Sequence, residues 1–362
     1  MDRRRIAVFG PSLAAVSGVS THLRVLFASD LAREFQLLHF QVGSEGRAEG
    51  VLGRLARLAF SPLLLALFLL RSGAGTVHLN ASLDARGYWR DRVYWSVARL
   101  LGRRVVNQVH GGALPQEFFR GHAVRTWLLR RFLVRSDAVT VLSSAELRAY
   151  RAFDARIKVR QVPNAIDPAG LLDAPRAAGA GGPLRIAYLG RLAREKGLLE
   201  LVAALALLAG AGRAFTLSIA GSGPLENELA TAVRAARLLG RVRFLGPLAG
   251  ADKTRLWLDA EVFALPTYFE GLPYALLEAM AGGCVPVTTR VAAIPDVVRE
   301  GEHGLFVAPR DPRALARALA RLDDDRTLLA RMSAACRARV REHYTVERLA
   351  RDLRPLYDGL EA

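Results

Sequence analysis

Short apolar runs alternate with longer amphipathic stretches along all 362 positions, the pattern of an α/β protein built on parallel sheets. The runs predict strands at 5–9, 37–41, 76–79, 105–110, 138–142 and 158–162. A break follows. Residues 164–183 are rich in Gly, Ala, Pro and Asp, and 177–183 reads Ala-Ala-Gly-Ala-Gly-Gly-Pro, which is linker chemistry. The alternation restarts with predicted strands at 184–190, 215–220, 242–245, 262–265, 285–288 and 304–307. The chain therefore reads as two α/β domains of similar size, 1–165 and 166–344, with a last helix at about 345–362 packing back on the first. Ligands of open α/β sheets bind outside the carboxyl ends of the strands, so the site is expected in a cleft straddling the two halves.

The longest apolar run, 58–70, is interrupted by Ser61 and Pro62 and falls short of the ~20 residues that span a bilayer. Ser61 reads as an N-cap with Pro62 in the first helical position, which predicts a helix over 63–70 packed against its own sheet. After Met1-Asp2-Arg3-Arg4-Arg5 the apolar run Ile6-Ala7-Val8-Phe9 breaks at Gly10-Pro11, so no secretory signal is predicted. Two cysteines, Cys284 and Cys336, have no pairing motif near them, and a disulfide framework or a Cys-based zinc site is not expected. A reducing cytoplasm is the simplest compartment.

Three stretches of the second half carry candidate chemistry. Gly190-Arg191-Leu192-Ala193-Arg194-Glu195-Lys196-Gly197 follows a strand and opens a helix running to about 208. A cation at either end of that turn, with the positive end of a helix, makes a seat for a diphosphate. Lysine is rare, at positions 158, 196 and 253 only among 51 basic residues, so Lys196 stands where a compact point charge is wanted. Ala220-Gly221-Ser222-Gly223-Pro224 makes a second tight turn after the next strand, before a helix expected over 225–239. The run Pro266-Thr267-Tyr268-Phe269-Glu270-Gly271-Leu272-Pro273-Tyr274 places Glu270 in a turn and Pro273 at the first position of a short helix ended by Gly282-Gly283. Glu278 lies in that helix between Ala275-Leu276-Leu277 and Ala279-Met280-Ala281, where a carboxylate is costly unless it accepts hydrogen bonds. Hydroxyls of a ribose or hexose would supply them.

In the first half, His110 ends a strand ahead of Gly111-Gly112, a position suited to substrate contact. Gly18-Val19-Ser20-Thr21-His22 starts a helix expected to run to 31 and could set backbone amides, Ser20 or Thr21 against an acceptor or phosphate. It is not G-x-G-x-x-G, which argues against a dinucleotide fold of the usual kind. Asp323-Asp324-Asp325, the one acidic cluster that could hold a divalent ion, reads as a turn or helix start, and no metal site is predicted. No G-x-S-x-G, H-E-x-x-H or G-x4-G-K-[ST] pattern occurs.

Taken together, G-R-x4-K-G, A-G-x-G-P and E-G-x-P-x4-E-A-M-A-x-G-x-x-P-V resemble retaining GT-B glycosyltransferases of the large family-4 (group 1) type. Val162-Pro163-Asn164-Ala165-Ile166-Asp167 and Gly304-Leu305-Phe306-Val307-Ala308-Pro309 extend the resemblance over nearly the whole chain. It implies two Rossmann-like domains facing across a cleft, an acceptor-binding N-terminal half and a nucleotide-sugar-binding C-terminal half. It further implies that Arg191 and Lys196 grip the donor diphosphate, with Gly221 in the neighbouring turn. Glu278 would hold the ribose, Glu270 with the backbone amides that follow it in Gly271-Leu272-Pro273-Tyr274 would contact the transferred sugar, and His110 would lie beside the reacting centre. Gly18, Ser20 and Thr21 fall in the acceptor or phosphate loop, although Ala15-Val16-Ser17-Gly18-Val19 stands where many relatives have paired glycines, and Asn164-Ala165 where Asn-Gly is usual. Two cations and a helix terminus can stabilise a departing diphosphate without a metal or other cofactor.

The expected function is transfer of a hexosyl unit from a UDP- or GDP-sugar to a lipid-linked or polysaccharide acceptor. A nucleotide-sugar epimerase on the same architecture is the enzymatic rival, and a catalytically dead scaffold would need Arg191, Lys196, Glu270 and Glu278 to be idle. Net charge is +17, which admits a nucleic-acid binder, yet no recognised nucleic-acid motif is present and basic residues are not interleaved with aromatics, so no nucleic-acid partner is expected. The excess is uneven. Residues 1–170 hold 25 basic and 12 acidic side chains, and 171–362 hold 26 and 22. The basic half, with Arg54, Arg57 and Arg71 around the apolar run, is therefore expected to dock on the anionic inner face of the cell membrane.

Overall fold

The computed structural model describes residues 3–44, 50–175 and 181–359; residues 177–180 of the linker stretch lie outside the described residues. The chain divides into two compact units, Met1–Ala165 with Val346–Ala362, and Ile166–Thr345.

The first unit is a six-stranded parallel sheet, β1 (Arg5–Gly10), β2 (Gln36–Gln41), β3 (Thr76–Leu83), β4 (Arg104–Gly112), β5 (Ala138–Val141) and β6 (Val159–Gln161), in the order β2-β1-β3-β4-β5-β6. Because side chains alternate across a strand, β1 feeds two cores. Ala7 and Phe9 join Val77, Leu79, Val105 and Val139 on one face, while Ile6 and Val8 join Leu23, Leu26 and Val106 on the other. Both faces are thus covered, as parallel sheets require. The helix Val346–Asp358 sends Leu349, Leu353, Leu356 and Tyr357 into the second of these cores.

The second unit repeats the plan with β7 (Leu184–Leu189), β8 (Phe215–Ala220), β9 (Val242–Gly246), β10 (Val262–Leu265), β11 (Val285–Thr288) and β12 (Leu305–Phe306), all parallel, in the order β12-β11-β10-β7-β8-β9. The order reverses between β7 and β10, and the crevice outside the carboxyl ends at such a reversal is where doubly wound sheets take ligands. In the first unit the reversal lies between β1 and β3.

Several boundaries depart from the sequence reading. Strands β3 and β4 run past 79 and 110 because their extensions pair with each other, Ala81 with Val109 and Leu83 with Gly112. The helix from Gly18 stops at Ala28, and a short second helix covers Leu31–Glu34. The helix after β8 is Glu226–Ala235, cut short as the backbone reaches a left-handed conformation at Arg237. Pro273 is the N-cap of the helix Tyr274–Ala281 and not its first residue.

The largest correction concerns the apolar run. A single helix, Val51–Ser72, passes straight through Pro62, despite the ~3 kcal/mol that an interior proline costs. Leu65 and Leu69 anchor it in the core against the sheet, and tertiary burial of that stripe outweighs the local stop signal. Nor is the run buried as a whole, since Phe60, Leu63, Leu64 and Leu70 are each more than half exposed. Among the described residues no helix is long and apolar enough to cross a membrane.

Candidate functional site

In the second unit, the loops leaving β7 and β10 are fastened together at the reversal of strand order. The Tyr268 N–H and the Thr267 hydroxyl both donate to the Glu195 carbonyl, at 2.7 and 3.0 Å. Gly197 adopts φ +70°, and a Cβ there would stand 2.1 Å from the Pro266 carbonyl oxygen, so only glycine permits this approach. The consequence is a contact between side chains 74 positions apart: Lys196 Nζ lies 2.6 Å from Glu270 Oε1, both largely buried. Burial pushes the Glu270 carboxyl up while the Lys196 charge opposes it.

The turn after β8 closes on the same loop. Leu192 N–H donates to the Ser222 carbonyl at 2.9 Å and Leu225 N–H to the Leu192 carbonyl at 3.0 Å. Gly221 lies at φ +126°, with a would-be Cβ 1.9 Å from the Gly190 carbonyl oxygen. The Tyr188 hydroxyl, kept protonated by burial and the nearby Glu270 charge, donates to the Arg191 carbonyl at 2.8 Å. These contacts fix the backbone of Arg191, whose side chain is exposed, and set it on the same loop as the part-buried Lys196.

Glu278 is buried on the helix Tyr274–Ala281, which Gly271, Leu272 and Pro273 lead into. Its Oε1 lies 2.7 Å from Lys253 Nζ, and the Trp257 indole N–H donates to Oε2 at 3.4 Å. Both partners belong to the helix Gly250–Asp259. Each carboxylate oxygen can accept further hydrogen bonds, so ribose hydroxyls remain chemically acceptable partners. Lys253 is a site residue the sequence reading passed over, although the scarcity of lysine that marked Lys196 marks it equally.

The first unit gathers its polar groups differently. His110 on β4, His78 and Asn80 on β3, and His22 on the helix Gly18–Ala28 form one cluster, with the His22 ring 4.7 Å from that of His110 and 6.3 Å from that of His78. His110 Nε2 lies 2.7 Å from Asn80 Oδ1, and Asn80 Nδ2 donates to the Phe9 carbonyl at 2.8 Å. His78 bonds Gln108 Oε1 at 3.0 Å and the hydroxyl of Tyr357. Burial depresses all three imidazoles: His110 falls to about 3, His78 to about 4, and His22 well below its ordinary value. Within the cluster His22 has neither ring nitrogen hydrogen-bonded.

The Gly18 loop holds its own shape. Ser17 caps the helix from the Ser20 N–H at 3.3 Å, the buried Ser20 hydroxyl donates to the Ser12 carbonyl at 2.9 Å, and the Thr21 hydroxyl donates to the Ser17 carbonyl at 3.0 Å. Arg24 adds bonds to Thr21 and to the Leu13 and Ala15 carbonyls. In the acidic run, Asp325 caps the helix Arg326–His343, and Asp323 and Asp324 pair with Arg213. Among the described residues no group of three or more His, Cys, Asp and Glu could hold a metal ion.

Comparison with known proteins identifies the family. Residues 21–169 match the model described as Glycosyltransferase Family 4, and residues 183–325 that of Glycosyl transferases group 1. The chain is 32% identical over 241 residues to a glycogen synthase of Mycobacterium tuberculosis, 66% of this chain and 56% of that protein. It is 29% identical over 249 residues to the lipopolysaccharide core biosynthesis mannosyltransferase LpsB of Rhizobium meliloti, 64% of this chain and 68% of that one. The matched stretch is thus little more than half of the glycogen synthase. In fold it is similar to sucrose-phosphate synthase of Thermosynechococcus elongatus, with TM-score 0.80 at 20% identity over 99% of each chain. Anabaena HepE in complex with UDP gives 0.77 at 17% identity, over 98% of this chain and all of that one. With both family modules present on two parallel six-stranded sheets, the chain belongs to the group 1 glycosyltransferases of GT-B fold.

Proposed function

We propose that this chain moves a hexosyl unit from a UDP- or GDP-sugar to a lipid-linked or polysaccharide acceptor, with retention at the anomeric carbon and without a metal. The observation that carries the reading is the Lys196–Glu270 contact of 2.6 Å. In a nucleotide-sugar the diphosphate is bonded to the anomeric carbon, so a cation for the phosphate and a carboxylate for the sugar hydroxyls must be neighbours. The loops after β7 and β10 make them so. Lys196 and Arg191 stabilise the charge growing on the departing diphosphate, Glu278 accepts from the ribose, and His110 meets the transferred sugar. A UDP complex of HepE supports a nucleotide donor.

Donor turnover with the wild type and Glu270→Ala tests this. We expect the variant to lose transfer and hydrolysis of the nucleotide-sugar; unchanged turnover would remove Glu270 from the site. Release of a free, altered sugar without acceptor would instead favour the epimerase.

A separate observation favours attachment to an anionic membrane face. The helix Val51–Ser72 carries no acidic residue and turns Phe60, Leu63, Leu64, Leu67 and Leu70 outward, with Arg54 and Arg71 exposed on the same helix. An apolar stripe with basic flanks lies flat at a lipid interface, and a second copy of so basic a face would be repelled. Vesicles with and without phosphatidylglycerol distinguish the cases: Leu64→Glu should abolish co-sedimentation while leaving turnover of a soluble donor intact. Binding indifferent to anionic lipid, or concentration-dependent dimerisation lost in that variant, would overturn it.

A further inference from the structure

The hydrogen bonds around Asn80 decide which nitrogen of His110 carries the proton. Asn80 is buried on β3, between β1 and β4. One edge of its amide faces the Phe9 carbonyl oxygen at 2.8 Å. A carbonyl oxygen can only accept, so that edge must be the NH2 group. The opposite edge is then Oδ1, 2.7 Å from His110 Nε2. An amide oxygen has no proton to give, so His110 donates from Nε2, and in the neutral ring Nδ1 is left as a bare acceptor.

The surroundings resist a second proton. His22 faces His110 from the helix Gly18–Ala28, and His78 stands beyond it on β3, bonded to Gln108 of β4 and Tyr357 of the helix Val346–Asp358. Burial is the main obstacle to protonating His110, and the His78 imidazole adds to it. A ring in this state is neither an acid nor an effective base near neutral pH.

We propose that Asn80 is a positioning residue that locks His110 as the Nε2–H tautomer, so that Nδ1 accepts a hydrogen bond from a hydroxyl of the bound sugar and His110 takes no part in proton transfer. This rests on the reading that His110 meets the sugar, and it assigns what that meeting is. The ring orients a hydroxyl, and any proton taken up by the leaving diphosphate or given by the acceptor travels by another route.

Two measurements test it. Nitrogen-15 histidine spectra of the wild type read the tautomer without any substrate: His110 should show Nε2 protonated and Nδ1 bare, unchanged from pH 8 to pH 5. A protonated Nδ1 would overturn the assignment outright. Kinetics then test the role. Asn80→Ser should lower kcat about tenfold, the size of one lost orienting hydrogen bond, with donor KM within about twofold. Asn80→Asp should bring His110 titration into the range above pH 5 and give transfer a new acid limb that the wild type lacks. Should the tautomer be as assigned while both variants keep the wild-type kcat and pH profile, the positioning role fails, and the donor reading tested at Glu270 stands apart from it.

Discussion

The two units solve the same problem of holding polar groups at the carboxyl ends of a parallel sheet, and they do it with opposite chemistry. The second unit uses ion pairs, Lys196 with Glu270 and Lys253 with Glu278, each part-buried. The first uses neutral rings and amides, His22, His78, His110, Asn80 and Gln108, with no carboxylate bonded to any of the three imidazoles among the contacts described. Charge suits the proposed seat for a nucleoside diphosphate. A neutral acceptor suits the proposed orienting of a sugar hydroxyl without proton transfer. The two units should therefore answer to different perturbations.

Removing a cation from the second unit should have the largest effect. Lys196→Ala takes away a positive charge from the diphosphate and leaves Glu270 buried without its partner. We expect kcat/KM to fall about 10²–10³-fold, the loss typical of one preorganised electrostatic contact, together with a lowered Tm. A drop of less than threefold would show that this pair serves structure alone.

Acid should separate the units next. The three imidazoles of the first unit have folded-state pKa values below the ordinary 6.5. The unfolded chain therefore binds more protons as pH falls below about 6.5, and stability is lost from there downward until the folded-state values of about 4 and 3 are reached. Between pH 6.5 and 5 the loss is roughly 1–2 kcal/mol per imidazole. Hydrogen exchange should show β1, β3 and β4 losing protection at pH 5 ahead of β7, β8 and β10. Equal loss in both units would erase the contrast.

Lys253→Ala should give the smallest change. Glu278 keeps the Trp257 indole, so the expected outcome is a donor KM raised about three- to tenfold with kcat unchanged. The wild type should discriminate against a donor lacking its ribose hydroxyls, and the variant should do so less strongly. If wild type and variant both ignore the loss of those hydroxyls, Glu278 is no ribose ligand.

The strands were legible in the sequence because each is a short apolar run bounded by Gly, Pro or polar residues, and all twelve lie where those runs fall. The helix through Pro62 was not, since a local stop signal says nothing of the core that Leu65 and Leu69 will find. The donor-side loops were legible as motifs, because glycines such as Gly197 and Gly221 are needed wherever backbone meets backbone. Their pairing was hidden, as nothing in the chain announces that residue 196 will touch residue 270. The histidine cluster shows the same limit more sharply. His22, His78 and His110 are three isolated histidines in the sequence, and only the order β1-β3-β4 brings them together. Lys253 lay within reach, marked by the same scarcity of lysine that singled out Lys196.

On the function proposed here, the grip on the donor resides in the second unit, at Lys196 and Glu270. A thermal-shift titration with UDP-, GDP- and ADP-sugars tests it directly, since a ligand that binds only the folded state raises Tm with its concentration. We expect a rise with a UDP- or GDP-sugar in the wild type, preserved in His110→Ala and abolished in Lys196→Ala. A shift that survives Lys196→Ala and disappears in His110→Ala would contradict it.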